Sequence, residues 1–324
     1  MATVEGQKDE SDHLLDLFSN TAADGSVEGV ILADCLSEEQ KEDCRNLLGH
    51  FSDLFSLTPG KTTWCEQTID TGDSLPVKSK IYRQPDHVRD CIKSEVQKML
   101  DLVVIEYSDN PWASPVVLVP KTNSQNGKRE TRFCVDYRGL NTVTKMDAHL
   151  IPMADELIDT LASAKYLSTF DLTTGYWQIK LSEDAKPKTA FSTIGSHYQF
   201  TVMTFGLKNA PDTFQRLVNT VLQGLEAFSE SYPDDIAVFR YTWDDHLVHL
   251  WKDLEALKKA DLAIKTSKCQ IGQGKVFYLG HLVGGEQIEP LQGKIQTIGD
   301  WARPTTQNKV RAFLGLTRYY RRFI

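Results

Sequence analysis

The stretch Tyr232-Pro233-Asp234-Asp235 is followed directly by the apolar run Ile236-Ala237-Val238-Phe239. The pattern over residues 229–241 predicts a β-hairpin with Pro233 and Asp234 at its tip. Adjacent carboxylates make each other costly to ionise, and a divalent cation relieves that cost. Because magnesium prefers hard oxygen ligands, this tip is a candidate metal site. In isolation, the same Asp-Asp pair is typical of a solvated turn.

A third carboxylate ends another predicted strand. The segment Tyr166–Phe170 is mostly apolar, as expected of a buried strand, and Asp171 follows it. A hairpin lying beside this strand would bring Asp171 close to Asp234 and Asp235. Three carboxylates could hold two magnesium ions, or manganese in their place, and such a site supports in-line transfer at phosphorus.

Helical and strand patterns are interleaved along the rest of the chain. Apolar spacing predicts helices over residues 38–50, 86–101, 153–163, 210–226, 243–260 and 306–323. Ser37 and Gln40 form a candidate capping box for the first of these. Strands are predicted at residues 115–120, 132–137, 166–171, 177–181 and 276–283, in addition to the hairpin at 229–241. Hairpins between helices indicate an α+β fold with largely antiparallel sheets.

The net charge of −8 is unevenly distributed along the 324 residues. Residues 1–60 carry 13 acidic and three basic side chains, so the remainder is close to neutral and nucleic acid is not excluded as its partner. Six scattered cysteines without a Cys-x-x-Cys pair suggest reduced thiols. No secretory signal or membrane-length apolar run is visible, which predicts an intracellular protein, cytoplasmic or nuclear, without a membrane partner.

Seven blocks of the sequence, in order and at compatible spacing, resemble the reverse transcriptases of gypsy-type LTR retrotransposons, relatives of the retroviral enzyme. The resemblance runs from about residue 51 to the C-terminus. It implies a right-hand polymerase fold and RNA-directed DNA polymerase activity, in which deoxynucleotides are added to a primer 3′-end on an RNA or DNA template. The blocks are Pro111–Pro115, Arg132–Asn141, Phe170–Tyr176, Phe205–Pro211, Tyr232–Asp235, Tyr278–His281 and Phe313–Ile324.

The resemblance also implies a domain plan. Residues 1–50 would be an acidic N-terminal extension, and residues 51–110 a connector and the start of the fingers. Residues 111–324 would form the reverse transcriptase domain, with fingers and palm to about residue 283 and a partial thumb over 284–324. The RNase H and integrase regions that accompany the family's polyproteins are not visible in this sequence.

By resemblance, Asp171, Asp234 and Asp235 would be the catalytic metal ligands, and deoxynucleoside triphosphates would bind beside them. Tyr176 would lie under the sugar and clash with a 2′-hydroxyl, although a packed core tyrosine is the alternative. The fingers lysine would be Lys121 or Lys128, which the sequence does not distinguish. The implied nucleotide contacts are Lys121, Arg132, Thr174, Gly175, Tyr176 and Phe205.

The resemblance assigns two further elements to the primer and template. Tyr278-Leu279-Gly280 is similar to the primer grip, which holds the last phosphates of the primer. Gly315 and Tyr319 share one face of the predicted final helix and are similar to residues that follow the minor groove of the duplex.

Four positions depart from the family pattern: Pro233, Val103, Thr204, which replaces a proline, and Arg240, which replaces a small residue. Pro233 replaces a Leu, Ile, Met or Val that has a positive φ, which proline cannot adopt. Val103 replaces a glycine expected to cap the helix over 86–101 in the left-handed conformation. These departures favour a second hypothesis, a degenerate, non-catalytic retrotransposon relic that retains nucleic-acid binding. A third hypothesis is a host-recruited interaction module that uses the acidic N-terminus.

A cluster on the predicted helix over 243–260 has two interpretations. His246 and His249, with Asp244 and Asp245, contain metal-ligating side chains at short spacing. A solvated helix face accounts for the same pattern and is the expectation here.

Overall fold

The computed structural model describes residue 27 and residues 29–120, 131–149, 152–233 and 235–323. Within them the helices are α1 (Glu38–His50), α2 (Asp86–Asp101), α3 (Arg138–Val143), α4 (Ala154–Ala162), α5 (Ala210–Val221), α6 (Trp243–Lys259), α7 (Gln292–Gly299) and α8 (Gln307–Tyr319). The strands are β1 (Ile31–Leu32), β2 (Thr62–Gln67), β3 (Ile105–Tyr107), β4 (Ser114–Pro120), β5 (Thr131–Val135), β6 (Tyr166–Asp171), β7 (Ile179–Leu181), β8 (Phe191–Thr193), β9 (Ser196–Phe200), β10 (Ser229–Tyr232), β11 (Asp235–Arg240), β12 (Gln270–Gln273), β13 (Val276–Tyr278), β14 (His281–Gly284) and β15 (Gln287–Pro290).

The strands form two larger sheets and two smaller ones. The central sheet has the order β1-β12-β6-β11-β10, and the outer sheet has the order β3-β9-β8-β4-β5. Strands β13, β14 and β15 form a separate antiparallel sheet, and β2 pairs with β7. Most pairings are antiparallel, while β1–β12, β4–β8 and β2–β7 are parallel. This arrangement confirms the predicted α+β class.

Helix α6 covers the central sheet and fixes β11 in place. Its buried stripe contains Leu247, Leu250, Leu254 and Leu257, and it packs against β11. Burial of each leucine contributes roughly 1.5–3 kcal/mol relative to exposure. In β11 itself the run Ile236–Val238 is completely buried, so both faces of this strand lie in the core. A hairpin anchored in this way presents its tip at a defined place at the end of the sheet.

The N-terminal part of the described chain packs against the same core. Strand β1 pairs with β12, and Leu47 and Leu48 of α1 are buried. The predicted capping box is confirmed, since Gln40 N donates to Ser37 Oγ at 3.1 Å and Ser37 N donates to Gln40 Oε1 at 2.9 Å. The domain boundaries near residues 50, 110 and 283 stay predictions. None of the described helices is long and apolar enough to cross a lipid bilayer.

Three predicted elements are corrected by the structure. Residues Gly175–Gln178 form a 3₁₀ helix, so only Ile179–Leu181 remain of the strand predicted from residue 177. The helix predicted to reach residue 226 ends at Val221, before Gly224 takes a φ of +87°. The single strand predicted over 276–283 is a hairpin, β13–β14, because the two residues between its strands have positive φ.

The two histidines of the cluster on α6 do not lie on a solvated face. His246 is fully buried, and its Nε2 atom lies 2.8 Å from Ser168 Oγ of β6. Burial lowers the pKa of His246 to about 3, so the ring is neutral at physiological pH. His249 stacks on Phe228 with a centroid distance of 3.7 Å. The expectation of a solvated face therefore holds for Asp244 and Asp245, which are exposed, and was wrong for the histidines, because the apolar stripe turns their side of the helix toward the sheet.

Candidate metal and nucleotide site

Two of the three predicted carboxylates lie side by side. Asp171 at the end of β6 is directly opposite Asp235 at the start of β11 in the antiparallel register. Tyr232 pairs with Asp235 across the β10–β11 hairpin, so a two-residue loop connects the strands. The predicted hairpin is therefore confirmed. Asp234, the third predicted ligand, lies outside the described residues.

The carboxylates differ in their surroundings. Burial raises the pKa of Asp235, the neighbouring Asp171 raises it further, and Lys268 opposes both effects. The Lys268 ammonium donates a hydrogen bond of 2.5 Å to Asp171 Oδ2. Sequence reasoning missed Lys268, although it follows Lys265 closely in a short polar segment before β12. The site therefore combines a costly negative pair with a cation supplied by the chain.

A cavity of about 320 Å³ lies at these strand ends. Tyr278 is 2% exposed, and its hydroxyl has no hydrogen-bond partner among the described residues. The cavity is lined by Ile31, Thr169, Phe170, Asp171, Asp235, Ser267, Lys268, Gln270, Phe277 and Tyr278. The cavity wall thus contains two predicted metal ligands and one residue of the predicted primer grip.

The described residues of this site supply oxygen ligands of the kind that magnesium prefers. Asp171 and Asp235 supply hard carboxylate oxygens, and their proximity disfavours double ionisation without a cation. The orphaned Tyr278 hydroxyl adds an unpaired polar group in the cavity wall. Among the described residues, no group of three or more His, Cys, Asp or Glu side chains is arranged to hold a metal ion. Asp234, the third predicted ligand, is not among them.

The predicted nucleotide contacts after β6 form a tight turn. Thr174 has a φ of 44°, and its carbonyl accepts a hydrogen bond from Trp177 N at 2.7 Å. Tyr176 is 8% exposed, and its ring centroid lies 4.7 Å from Phe205 and 5.4 Å from Phe214. Tyr176 therefore packs into the core through Phe214. Phe205, which is 53% exposed, extends this aromatic layer to the surface.

A buried glutamine holds this turn in position. Gln178 Nε2 donates to the carbonyls of Thr173 and Ala263, each at 3.0 Å. Gln178 Oε1 accepts from Ala263 N at 2.7 Å. The side chain thus joins the turn after β6 to a segment more than 80 residues away. Sequence reasoning missed Gln178, because no local pattern distinguishes it from an exposed polar residue.

Of the remaining predicted nucleotide contacts, the structure describes Arg132, which belongs to the outer sheet. Arg132 is an exposed residue of β5 and pairs with Val119 of β4, so the strands predicted at 115–120 and 132–137 lie side by side. The carboxylates, in contrast, lie in the central sheet. Lys121 and Lys128 lie outside the described residues, so the choice between them stays open.

The predicted primer grip and final helix contact each other. The turn Leu279-Gly280 joins β13 to β14, and Tyr319 Oη donates to Leu279 O at 2.5 Å. Gly315 lies on the same helix, α8, where an added Cβ would meet no atom within 4 Å. Gly315 and Tyr319 line a common cavity of about 440 Å³. The structure thus brings these predicted primer and template residues together.

Comparison with known proteins gives consistent matches. A family model described as reverse transcriptase (RNA-dependent DNA polymerase) matches residues 119–283. The Pol polyproteins of transposons 297 and gypsy from Drosophila melanogaster are 35% and 32% identical over 295 and 300 residues. These matches cover 90% and 92% of this chain but 28% and 29% of those proteins. The chain therefore spans less than a third of the length of these relatives.

The solved structures show the same fold. A foamy viral protease-reverse transcriptase, solved in complex with dsDNA, superposes with a TM-score of 0.79 at 21% identity. The match covers 98% of this chain and 64% of that one. This likeness confirms the predicted right-hand polymerase fold.

Proposed function

Because the chain belongs to the reverse transcriptase (RNA-dependent DNA polymerase) family, we propose that it carries out template-directed DNA synthesis at the cavity beside Asp171 and Asp235. The observation that carries this proposal is the direct pairing of the two carboxylates at the ends of β6 and β11. Both lie within the segment that matches the family, next to the hairpin tip that contains Asp234.

The three aspartates would hold two magnesium ions, with manganese as an alternative. Bound magnesium supplies Lewis-acid activation of the primer 3′-hydroxyl and neutralises charge on the leaving pyrophosphate. Pairing of β6 with β11 fixes the backbones of Asp171 and Asp235 directly opposite each other. Burial and, to a smaller extent, the neighbouring Asp171 raise the pKa of Asp235, so a bound cation would favour its ionised form.

Tyr176 and Phe205 would form the floor for the incoming deoxynucleoside triphosphate. Their ring centroids lie 4.7 Å apart at an interplanar angle of 33°, which supports a continuous aromatic surface under the sugar. The Thr174 and Gly175 amides, Arg132 and one of Lys121 or Lys128 would bind phosphate oxygens. The other partners would be an RNA or DNA template and its primer, in an intracellular compartment of the cytoplasm or nucleus.

Primer extension by the purified chain tests this proposal, with RNA and DNA templates and with magnesium or manganese. Asp171→Asn and Asp234→Asn should each lower the rate more than about 100-fold, since loss of even an outer-shell partner of a metal costs about 10- to 100-fold. Asp244→Asn is the matched control, because Asp244 is exposed on α6. Activity that survives Asp234→Asn rejects the assignment.

One observation favours a second candidate, a catalytically damaged family member that retains nucleic-acid binding. Pro233 is the first of the two loop residues between β10 and β11. The preferred turns for such loops need a positive φ at this position, and proline is fixed near −65°. If only Pro233→Leu extends a primer, while both proteins bind the duplex in a salt-dependent manner, the second candidate is correct.

A further inference from the structure

The turn between β13 and β14 is strained and needs support from outside the hairpin. Leu279 and Gly280 have φ values of 44° and 72°, both in the left-handed region. This conformation costs a non-glycine residue such as leucine roughly 1–2 kcal/mol. Two consecutive positive φ values are typical of a type I′ turn, for which Asn-Gly is the usual sequence. Leu279 lacks the side-chain hydrogen bonds with which asparagine would stabilise such a turn.

The support comes from the residues at the end of α8. Tyr319 Oη donates to Leu279 O at 2.5 Å, and Tyr320 Oη donates to Gly280 O at 3.1 Å. His281 Nδ1 also lies 2.9 Å from Leu279 O. Both carbonyl groups of the strained turn are therefore engaged, and two of the three partners come from a segment about 40 residues further along the chain.

Four aromatic rings reinforce these hydrogen bonds. His281 stacks on Tyr319 at 5.4 Å and lies 5.3 Å from Tyr320 and 5.7 Å from Phe323. Tyr319 and Tyr320 meet edge to face at 5.0 Å. We name the group His281, Tyr319, Tyr320 and Phe323 the aromatic latch. Such ring pairs contribute about 0.5–1.5 kcal/mol each beyond simple burial.

The aromatic latch is the main buried attachment of the C-terminal helix. Helix α8 itself contains no buried residue, whereas Tyr320, which follows it, is 4% exposed. Further attachments are a ring contact at 6.1 Å between Phe313 of α8 and Trp301, which follows α7, and two exposed ion pairs to α4, from Arg321 to Asp155 and from Arg322 to Asp159. Exposed pairs of this kind stabilise by about 0–1 kcal/mol. The position of α8 against the turn therefore depends on the latch.

We propose that Tyr319 and Tyr320 are positioning residues that couple the primer-grip turn to the thumb helix. A movement of α8 then moves Leu279 and Gly280 with it, and loss of the hydroxyls frees the turn. The role in holding a primer rests on the proposed function, since the resemblance assigns this turn to the primer. The coupling itself is a property of the protein without nucleic acid.

Tyr319→Phe, Tyr320→Phe and the double variant test the coupling, since each removes only hydroxyl groups. Hydrogen exchange at the amides of residues 279–282 is measured first, in the full chain without nucleic acid. The double variant should exchange at least about 5-fold faster there, because two hydrogen bonds are lost. Tyr241→Phe is the matched control, since its hydroxyl lies 3.1 Å from Ser163 Oγ, outside the latch.

Binding of a primer–template duplex and the KM for deoxynucleotides are measured next. The double variant should weaken duplex binding at least about 5-fold, while the KM for deoxynucleotides stays unchanged. Unchanged exchange at residues 279–282 overturns the coupling. Faster exchange with unchanged duplex binding overturns the positioning role. If the unmodified chain does not bind the duplex, the proposed function fails, while faster exchange in the variant still supports the coupling.

Discussion

The Lys268 ammonium lies 2.5 Å from Asp171 Oδ2, so the chain supplies its own cation to one of the two paired carboxylates. The Asp171 side chain is 17% exposed and that of Lys268 is 55% exposed. Water therefore screens the lysine more than the aspartate. A metal ion at Asp171 would have to share or displace this ammonium, so we expect Lys268 to lower the affinity of the proposed site for metal.

Lys268→Gln should strengthen magnesium binding and lower the stability of the metal-free protein. Without magnesium, loss of the ion pair should lower the free energy of unfolding by at most about 1 kcal/mol, because the lysine is largely exposed. With magnesium, the variant should gain more stability than the unmodified protein, since binding to the folded state stabilises it by mass action. Thermal unfolding across a magnesium titration measures both effects. Lys294→Gln, an equal charge change on the exposed face of α7, is the control, and equal magnesium dependence in all three proteins contradicts the prediction.

Asp235→Asn should stabilise the protein while abolishing activity. Burial and Asp171 raise the pKa of Asp235, so its ionised form is disfavoured in the folded state. The carboxyl therefore contributes stability while protonated and loses that contribution as the pH rises through its folded pKa. The variant should be the more stable protein at pH 7.5, and the difference should shrink at acidic pH. Urea unfolding at both pH values measures this, and primer extension should fall more than about 100-fold. A variant less stable than the unmodified protein at pH 7.5 contradicts the electrostatic account.

Local sequence patterns predicted the scaffold of this site. The runs that became β6 and β11 are apolar and end or begin at an aspartate, so both strands and their carboxylates were visible without any long-range information. The same holds for α6, whose leucines repeat at helical spacing. Side-chain periodicity follows directly from backbone geometry, which is why such elements can be predicted.

The contacts that refine the site were not predictable in this way. Lys268 and Asp171 are 97 residues apart, and Gln178 and Ala263 are 85 apart. A polar side chain carries no local sign of a distant partner. The 3₁₀ helix at Gly175–Gln178 was not predictable for the same reason, since the buried Gln178 holds it against the distant Ala263. Tertiary contacts there overrode the strand pattern.

Val103→Gly should stabilise the protein. Val103 has a φ of 57° at the end of α2, where Val103 N donates to Leu100 O and Val104 N donates to Met99 O. These bonds form a Schellman cap, whose left-handed position favours glycine. Relief of strain of roughly 1–2 kcal/mol exceeds the entropic cost of glycine, about 0.5–1 kcal/mol. Since Val103 is 64% exposed, little burial is lost.

Chemical denaturation measures this change, with a gain of about 0.5–1 kcal/mol expected from those two opposing costs. Leu102→Gly is the matched control one residue earlier, where φ is −80° and glycine relieves no strain. That variant should lose about 1 kcal/mol. Equal destabilisation by both substitutions would show that Val103 is not strained.

The titration of Asp253 should lower the free energy of unfolding as the pH rises from 6.5 to 8. Its side chain is fully buried in α6, and Ser229 Oγ donates to Asp253 Oδ2 at 2.6 Å. Burial raises its pKa from 3.8 to about 8, and the Ser229 hydrogen bond only partly offsets this. Between those values the folded state holds a proton that the unfolded state has released. The free energy of unfolding therefore falls as the pH rises, by at most about 1.4 kcal/mol per pH unit.

In this pH range, the effect of Asp253 on stability can be distinguished from that of the two histidines on the same helix. Their lowered pKa values mean that His246 and His249 are neutral in the folded state and take up protons only on unfolding, below about 6.5. They therefore remove stability mainly on the acidic side of this range, whereas Asp253 removes stability within it. Asp253→Asn should flatten the decline measured by urea unfolding, whereas the exposed control Asp244→Asn should preserve it. A decline that persists in Asp253→Asn means that another group releases the proton.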